Sequence, residues 1–451
     1  SILLRSSGND YCHSYLRDGF ISSLVENCID VDMSAYTPCA VYLNGNYFGL
    51  MNLRERHNDD YIYSNYGLDE DSIVQSLNKS KKYAKLKKYD INSDTAKTLI
   101  YSLFDINEIL NFTLTEIYCA NNDWGTNNII FWSRMNDDDE YWRVILYDTD
   151  AGFSNFGDKS DLNTISYAYK NSVLEFLLGN NEIRNKFITK AIVHLATTFD
   201  PIRVEHILDS LSSTIKDEAI FYQNFREKGG LPTSNWESEI SKMHGFAKVR
   251  PNNVFAHLKD YYSLGDTSSI ILFADEKGTE FYLNDEIVKT NCFNSYCFEG
   301  FEIVLKCSPP DGFLFDHWEI STGDSVYTSF EDELTTVFTE ESSYHAILKK
   351  DINNQTFLPN LYLNEICVTN KMYIDEYRES DDWIEIYNAS SFPVDLGGMY
   401  LSDKKGNPTK YMIPLDAPEK TTVAGKSYIV FWADNAPDQG PNHLGFSLSS
   451  S

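Results

Sequence analysis

Asn121-Asn122-Asp123-Trp124-Gly125-Thr126-Asn127-Asn128-Ile129-Ile130-Phe131-Trp132, followed by Trp142-Arg143-Val144-Ile145-Leu146-Tyr147-Asp148-Thr149-Asp150-Ala151-Gly152-Phe153, decides how this chain is read. Before it, Ile106 to Cys119 carries apolar residues at helical spacing and predicts a core helix. After the Asn/Asp/Gly loop, Ile129–Arg134 and Tyr141–Tyr147 predict a hairpin around Asn136-Asp137-Asp138-Asp139-Glu140. Its second strand runs into Asp148-Thr149-Asp150. Asp123, Asp148 and Asp150 thus converge with Asn127, Asn128 and Trp124 at one end of a hairpin, in loops, where function concentrates.

Outward from this centre, residues 1–262 mix helices and strands. Ile2–Arg5 reads as a strand that turns at Ser7-Gly8-Asn9-Asp10, and Leu16, Phe20 and Leu24 share one helical face. Asn44-Gly45 between Cys39–Leu43 and Tyr47–Leu53 signals a type I′ hairpin. Six lysines between Lys79 and Lys88 form the basic cluster of the chain. They read either as a solvated face or as a contact for phosphate or acidic substrate. Ser172 to Leu258 is helical, with breaks near Asn180, Asp200-Pro201 and Pro232. From about residue 265 the pattern becomes all-β, with strands expected at Ile270–Phe273, Glu280–Leu283, Glu286–Thr290, Phe301–Cys307 and Phe313–Glu319. Residues 349–358 read as a linker, and a second all-β block runs from Leu361 to the end.

The chain of 451 residues carries 67 acidic and 38 basic residues, a formal charge of −29. Such a surplus excludes generic binding to nucleic-acid backbones, which needs clustered Lys and Arg. No apolar run reaches the ~18–20 residues of a transmembrane helix. The acids remain compatible with a nucleotide held through Mg²⁺. The 8 cysteines include no C-x-x-C pair, which argues against structural zinc. Cys292, Cys297 and Cys307 lie close enough in sequence for one disulfide. The opening at Ser1 and the stop at Ser451 suggest a fragment at both ends.

Phosphoryl transfer needs a carboxylate to take the acceptor proton and an amide and a carboxylate to hold the metal. Asp123 to Asn128 has the D-x4-N spacing of that set, and Asp150-Ala151-Gly152 has the D-x-G form. The same residues also read as caps of a helix and a turn.

Three ordered blocks resemble the spore coat protein H (CotH) kinase family: Leu3-Leu4-Arg5-Ser6-Ser7-Gly8-Asn9-Asp10 with Leu16-Arg17-Asp18; Val41-Tyr42-Leu43-Asn44-Gly45 through Asn52-Leu53-Arg54-Glu55; and the stretch quoted first. The Phe246–Arg250 ending of the helical tail fits as well. The resemblance implies an atypical protein-kinase-like domain of α+β class over 1–262, using ATP and Mg²⁺ to phosphorylate Ser or Thr of a secreted, surface or spore-coat protein. It implies Asp123 as catalytic base, Asn128 as a metal ligand, and Asp148, then Asp150, as the second. Trp124 and Asn127 would line the nucleotide site. Glu55 would pair with a phosphate-contacting cation, for which Arg5 and Arg17 are candidates, unless a Lys precedes residue 1. Arg54 reads equally as a surface cation.

Residues 268–348 resemble an internalin-type B repeat, through Gly312-Phe313-Leu314-Phe315-Asp316-His317-Trp318, whose aromatics read as core and whose His317 has no obvious partner. Residues 361–451 resemble a lamin-tail domain, an immunoglobulin-like sandwich, through Leu363-Asn364-Glu365-Ile366, Asp382-Trp383-Ile384-Glu385-Ile386-Tyr387-Asn388 and Tyr428–Asp434. Asp382 and Glu385 there read as a solvated strand face rather than a metal pair. The expected whole is a multidomain extracellular, cell-surface or spore-coat protein attached through its β modules. Two rival readings remain: a surface-anchored binding protein with a degenerate kinase-like domain, and a carbohydrate-binding or carbohydrate-processing protein.

Overall fold

The computed structural model describes residues 2–68, 73–134, 140–351 and 360–448. The chain opens with β1 (Ile2–Arg5), α1 (Arg17–Val25), β2 (Asp32–Met33), β3 (Tyr36–Leu43), β4 (Asn46–Glu55), α2 (Asp59–Tyr66) and β5 (Ile73–Val74). Asn44 and Gly45 take φ of 51° and 80°, the left-handed pair that a type I′ turn requires. They join β3 to β4, and β1 adds antiparallel to the far side of β4, with Arg5 opposite Asn52. There follow α3 (Lys81–Leu86), α4 (Asp94–Leu103), α5 (Ile106–Tyr118), β6 (Ile130–Arg134) and β7 (Arg143–Leu146). A second sheet has the order β2-β7-β6-β5. The tip of the expected β6–β7 hairpin, 135–139, lies outside the described residues.

Helix α5 is the centre of this region. Asp105 caps it by accepting from Glu108 N at 3.1 Å. Nearly every one of its side chains is buried. It packs against β7 and against two of the helices that follow: α6 (Ile165–Ala168), α7 (Ser172–Leu178), α8 (Asn181–His194), α9 (Pro201–Lys228) and α10 (Trp236–Tyr262), the partners being α8 and α10. The lysine cluster lies on α3 and its flanks. Tyr83 and Leu86 face inward while Lys79, Lys81, Lys85, Lys87 and Lys88 are exposed, a solvated helix face.

The middle module comprises β8 (Thr267–Phe273), β9 (Glu280–Leu283), β10 (Glu286–Val288), β11 (Cys292–Phe298), β12 (Glu302–Ser308), β13 (Phe313–Thr322), β14 (Ser325–Ser329), β15 (Glu333–Val337) and β16 (Ser342–Lys350). Its sheets are β10-β9-β12-β15 and β11-β8-β16-β13-β14. Trp318 is fully buried against Phe281 and Phe315, and His317 bonds Asp316 at 2.8 Å. All eight cysteines are free, so the bridge open in sequence to Cys292, Cys297 and Cys307 does not form. Cys292 and Cys297 lie five residues apart along β11, a span of ~16 Å in extended chain, far beyond bridging distance. Cys307 lies in the other sheet. Strand β11 has no counterpart in the sequence reading, because its Asn and Ser break the apolar alternation. Strand β16 runs to Lys350, into the segment read as a linker; 352–359 lie outside the described residues.

A continuous apolar core runs from Tyr15 through the helices into the middle module, ending at Ala346. The C-terminal module has its own core around Ile384, Ile386, Phe431, Leu444 and Phe446. There, strands Leu361–Cys367, Trp383–Asn388 and Ser427–Trp432 form a three-stranded antiparallel sheet, flanked by two short two-stranded pairs. The molecule is thus multidomain, with an N-terminal region of helices and sheets and an all-β remainder. Among the described residues no helix is long and apolar enough to cross a membrane.

Candidate active site

The turn after β1 builds half of the site. Ser7 and Gly8 take left-handed φ of 64° and 55°, and the chain curls over Asp150. Asn9 N donates to Asp150 Oδ2 at 2.9 Å, Asn9 Nδ2 to Oδ1 at 3.2 Å, and Arg5 Nη2 to Oδ2 at 2.8 Å. A Cβ on Gly8 would lie 1.8 Å from Asp150 Oδ2, so this approach requires glycine. The Asp150 side chain is 1% exposed. Burial and the neighbouring Asp148 push its carboxyl up to about 6, against Arg5 and Asn9.

Asp148 is placed differently. Its side chain is 29% exposed and pairs with Arg5 Nη2. Its backbone takes φ 57°, a left-handed conformation that Asp tolerates better than most residues. Between the two acids, Thr149 N and Oγ1 each donate to Asp18 Oδ1 at 3.1 Å. Asp18 in turn lies 3.3 Å from Arg54 Nη2 and 3.9 Å from Arg5 Nε. Burial opposes its ionised form, but Arg54, Arg5 and Thr149 hold its carboxyl below the usual range. Three consecutive residues, 148 to 150, are therefore tied to the N-terminal strands and α1.

The other half hangs from the end of α5. Arg250, fully buried on α10, donates to the carbonyls of Tyr118 (2.8 Å), Ile117 (2.5 Å), Ser160 (2.7 Å) and Leu162 (2.9 Å). A guanidinium there satisfies the helix's last carbonyls and its negative pole. The loop beyond is ordered by short-range bonds. Asp123 N donates to Asn121 Oδ1 at 3.0 Å, Asn127 Nδ2 to Asp123 Oδ1 at 3.2 Å, and Asn128 Nδ2 to Asp123 O at 2.8 Å. Asn128 shares the left-handed φ of Asp148, at 56°.

Glu116, one turn before the end of α5, links the halves. It is fully buried, and neither carboxylate oxygen has a hydrogen-bond partner. Burial pushes its carboxyl up to about 8, with neighbouring Asn121 opposing and Asp148, Asp18 and Asp123 adding to the rise. Acids of both loops therefore act on one buried group.

Among the residues expected to bind cofactor, Arg5 lies at the acids and Asn127 is exposed beside Asp123. Arg17 does not face this site: it is fully buried, bonded to Asp10 Oδ1 at 2.5 Å and Glu239 Oε2 at 2.9 Å. Trp124 is 2% exposed and packs on Phe112, a core residue rather than a nucleotide platform. Glu55 accepts from Ala35 N at 3.3 Å, and no ion pair joins it to Arg5 among the described residues. Arg54 is not a surface cation but is 4% exposed on Asp18. The sequence reading assigned no role to Asp18, Asn9 and Glu116. The signal for Glu116 was available, since an acid inside an apolar helical repeat must be buried or paired.

The family model described as CotH kinase protein matches residues 1–99 and 85–254. That is more than half of the chain, and the chain belongs to this family of kinase-like proteins. The model described as Lamin Tail Domain matches residues 364–450. No curated protein matches the chain.

Proposed function

We propose that this member of the CotH kinase family is a protein kinase that transfers the γ-phosphoryl group of ATP to a Ser or Thr hydroxyl, with Asp123 as base. The observation that carries the reading is the two-sided acid set around Glu116. Arg5 and Arg54 meet Asp18, Asp148 and Asp150, while among the described residues Asp123 faces amide donors and Glu116 no cation. Within this set the part-exposed carboxylate of Asp148 and the free Oδ1 of Asn128 are oxygen donors that fit a divalent cation.

In this reading Asn128 and Asp148 would hold Mg²⁺, which supplies charge neutralisation on the phosphates. Asn128 Nδ2 is engaged by Asp123 O, which leaves Oδ1 as its acceptor atom. Asp148 is the better ligand of its pair, since Asp150 is closed off by Asn9 and Arg5. Arg5 then has two roles: it neutralises Asp148 and Asp150, and it stands where a phosphate oxygen can be met. Asp123 keeps its carboxylate at the loop surface with only amide donors around it, free to accept the proton of an incoming hydroxyl. Secretion or spore-coat location, and a spacer role for the internalin-like module, belong to the same proposal.

Transfer from radiolabelled ATP to casein tests it, with the full chain and its Asp123→Ala and Asp148→Ala variants. Equal labelling by all three proteins would sink the assignment. One observation favours a second reading, a surface-anchored binding or structural protein whose degenerate kinase-like domain takes no nucleotide: Arg5 already pairs with Asp148 and with Asp150. A thermal shift with ATP and Mg²⁺ in the wild type but none in Asp148→Ala decides for the kinase.

A further inference from the structure

The C-terminal module contains a second acid cluster that the kinase reading does not use. The loop 368–382 is folded around Asn370, which donates to Tyr373 O (2.7 Å) and Asp381 O (2.9 Å). Asp382 Oδ1 accepts from Thr369 N at 2.6 Å. Inside this loop Asp375 Oδ1 accepts from Tyr377 N (2.9 Å) and Glu379 N (2.8 Å). Ligand atoms of Asp375, Glu379 and Asp381 lie within 4.8 Å of one another, and so do those of Asp375, Asp434 and His443.

Hydrogen bonding does not account for this arrangement. Asp375 is 7% exposed, yet its Oδ2 has no partner, and neither does the buried Oδ2 of Asp381. Gln439, whose Nε2 donates to Glu379 Oε2 at 2.9 Å, keeps a buried Oε1 that is also unpartnered. All three are acceptor atoms. Among the described residues no Lys or Arg pairs with Asp375, Glu379, Asp381 or Asp434; the one basic neighbour is His443, fully buried, on Asp434 and 3.5 Å from Glu376. Buried acceptors without donors lose several hydrogen bonds for no return, unless a cation completes them.

We propose that Asp375, Glu379, Asp381 and Asp434 of the C-terminal module bind a Ca²⁺ ion. Oxygen ligands at ~2.3–2.6 Å stand up to ~5 Å apart across the ion, a span matched by Asp375 with Glu379 and Asp381 and by Asp375 with Asp434. Mg²⁺ demands a tighter octahedron at ~2.0–2.1 Å. His443 is held through Nδ1 by Asp434 and acts as a positioning residue for that carboxylate, not as a ligand. The ion would staple the loop 368–382 to the segment 434–443, alongside the bonds from Tyr377 OH to Gln439 O and from Gln439 Nε2 to Glu379 Oε2, each 2.9 Å.

Terbium luminescence tests this on the full chain, in an Asp148→Ala background that removes the metal-facing acid of the N-terminal site. Tb³⁺ is a Ca²⁺ probe excited through nearby Tyr or Trp, here Tyr377 and Trp383. The expected result is one sensitised site, displaced by Ca²⁺ but not by equal Mg²⁺. Asp375→Asn keeps the turn-forming Oδ1 and should weaken Tb³⁺ binding at least tenfold. The exposed Glu379→Gln does the same without risk to the fold. Absence of sensitised emission, unchanged affinity in both variants, or equal displacement by Mg²⁺ would overturn the proposal.

Discussion

The two acid clusters of this protein answer the same electrostatic problem in opposite ways. Around Asp148 and Asp150 the charge is met from within the chain, by Arg5, and by Arg54 through Asp18. Around Asp375 it is not met by any arginine or lysine among the described residues. A guanidinium on β1 is a permanent counterion: it stabilises the site before any ligand arrives. A cluster of bare acceptors is stable only as far as solution cations fill it. The first arrangement suits a site whose metal comes and goes with its nucleotide, and the second suits an ion that stays.

Four expected outcomes break or sharpen that contrast. The largest concerns activity. Asp123→Ala and Asp148→Ala should lower initial rates of phosphoryl transfer by about 10²–10⁴-fold, while Asp375→Asn leaves them within twofold. An equal loss in Asp375→Asn would mean that the clusters are not independent. Next, Arg5→Met strips the first cluster of its counterion and should cost roughly 2–4 kcal/mol in chemical denaturation. The variant should regain part of this with millimolar Mg²⁺, which turns the first cluster into one of the second kind. Third, Ca²⁺ at 100 times its Kd should stabilise the C-terminal module by about 2.7 kcal/mol. Because its core is separate, calorimetry should show chelation lowering one transition and leaving the other in place.

The smallest effect is a slope. Glu116 has a folded-state carboxyl raised to about 8, so the folded protein binds that proton more tightly than the unfolded chain. Its stabilising contribution is complete below the unfolded value near ~4.3 and is lost as pH rises towards 8, by at most ~1.4 kcal/mol per pH unit. Glu116→Gln should flatten the fall in Tm between pH 6 and pH 7.

Much of this architecture was legible because local rules speak loudly in it. Asn44-Gly45 demands positive φ at both positions and fixes the β3–β4 hairpin. The apolar repeat from Ile106 specifies α5, and Asp105 marks its start. The loops bearing Asp123 and Asp148 follow from the elements that end just before them. What failed had a common cause, since burial is a property of neighbours far away in sequence. Arg17 and Trp124 have the residue types of a nucleotide site, yet Asp10, Glu239 and Phe112 claim them. Asp382 and Glu385, read as a strand face rather than a metal pair, do form ordinary hydrogen bonds, Asp382 with the backbone of Thr369 and Glu385 with Asn364. The cluster that does form takes Asp434 from the far end of the module.

By itself the sequence determined the element types, the break from helices to strands near residue 265, the family, and the acids that lie at hairpin and helix ends. Those follow from periodicity, turn chemistry and spacing, which act within a few residues. Only the tertiary structure decided which of the acids are paired, which are closed off and which are bare. That decision depends on chain segments distant in sequence meeting in space: Arg5 with Asp148, Arg54 with Asp18, Asp18 with Thr149, Asp375 with Asp434. An ionised carboxylate costs little in water and much in a protein interior, so its meaning is set by what packs around it.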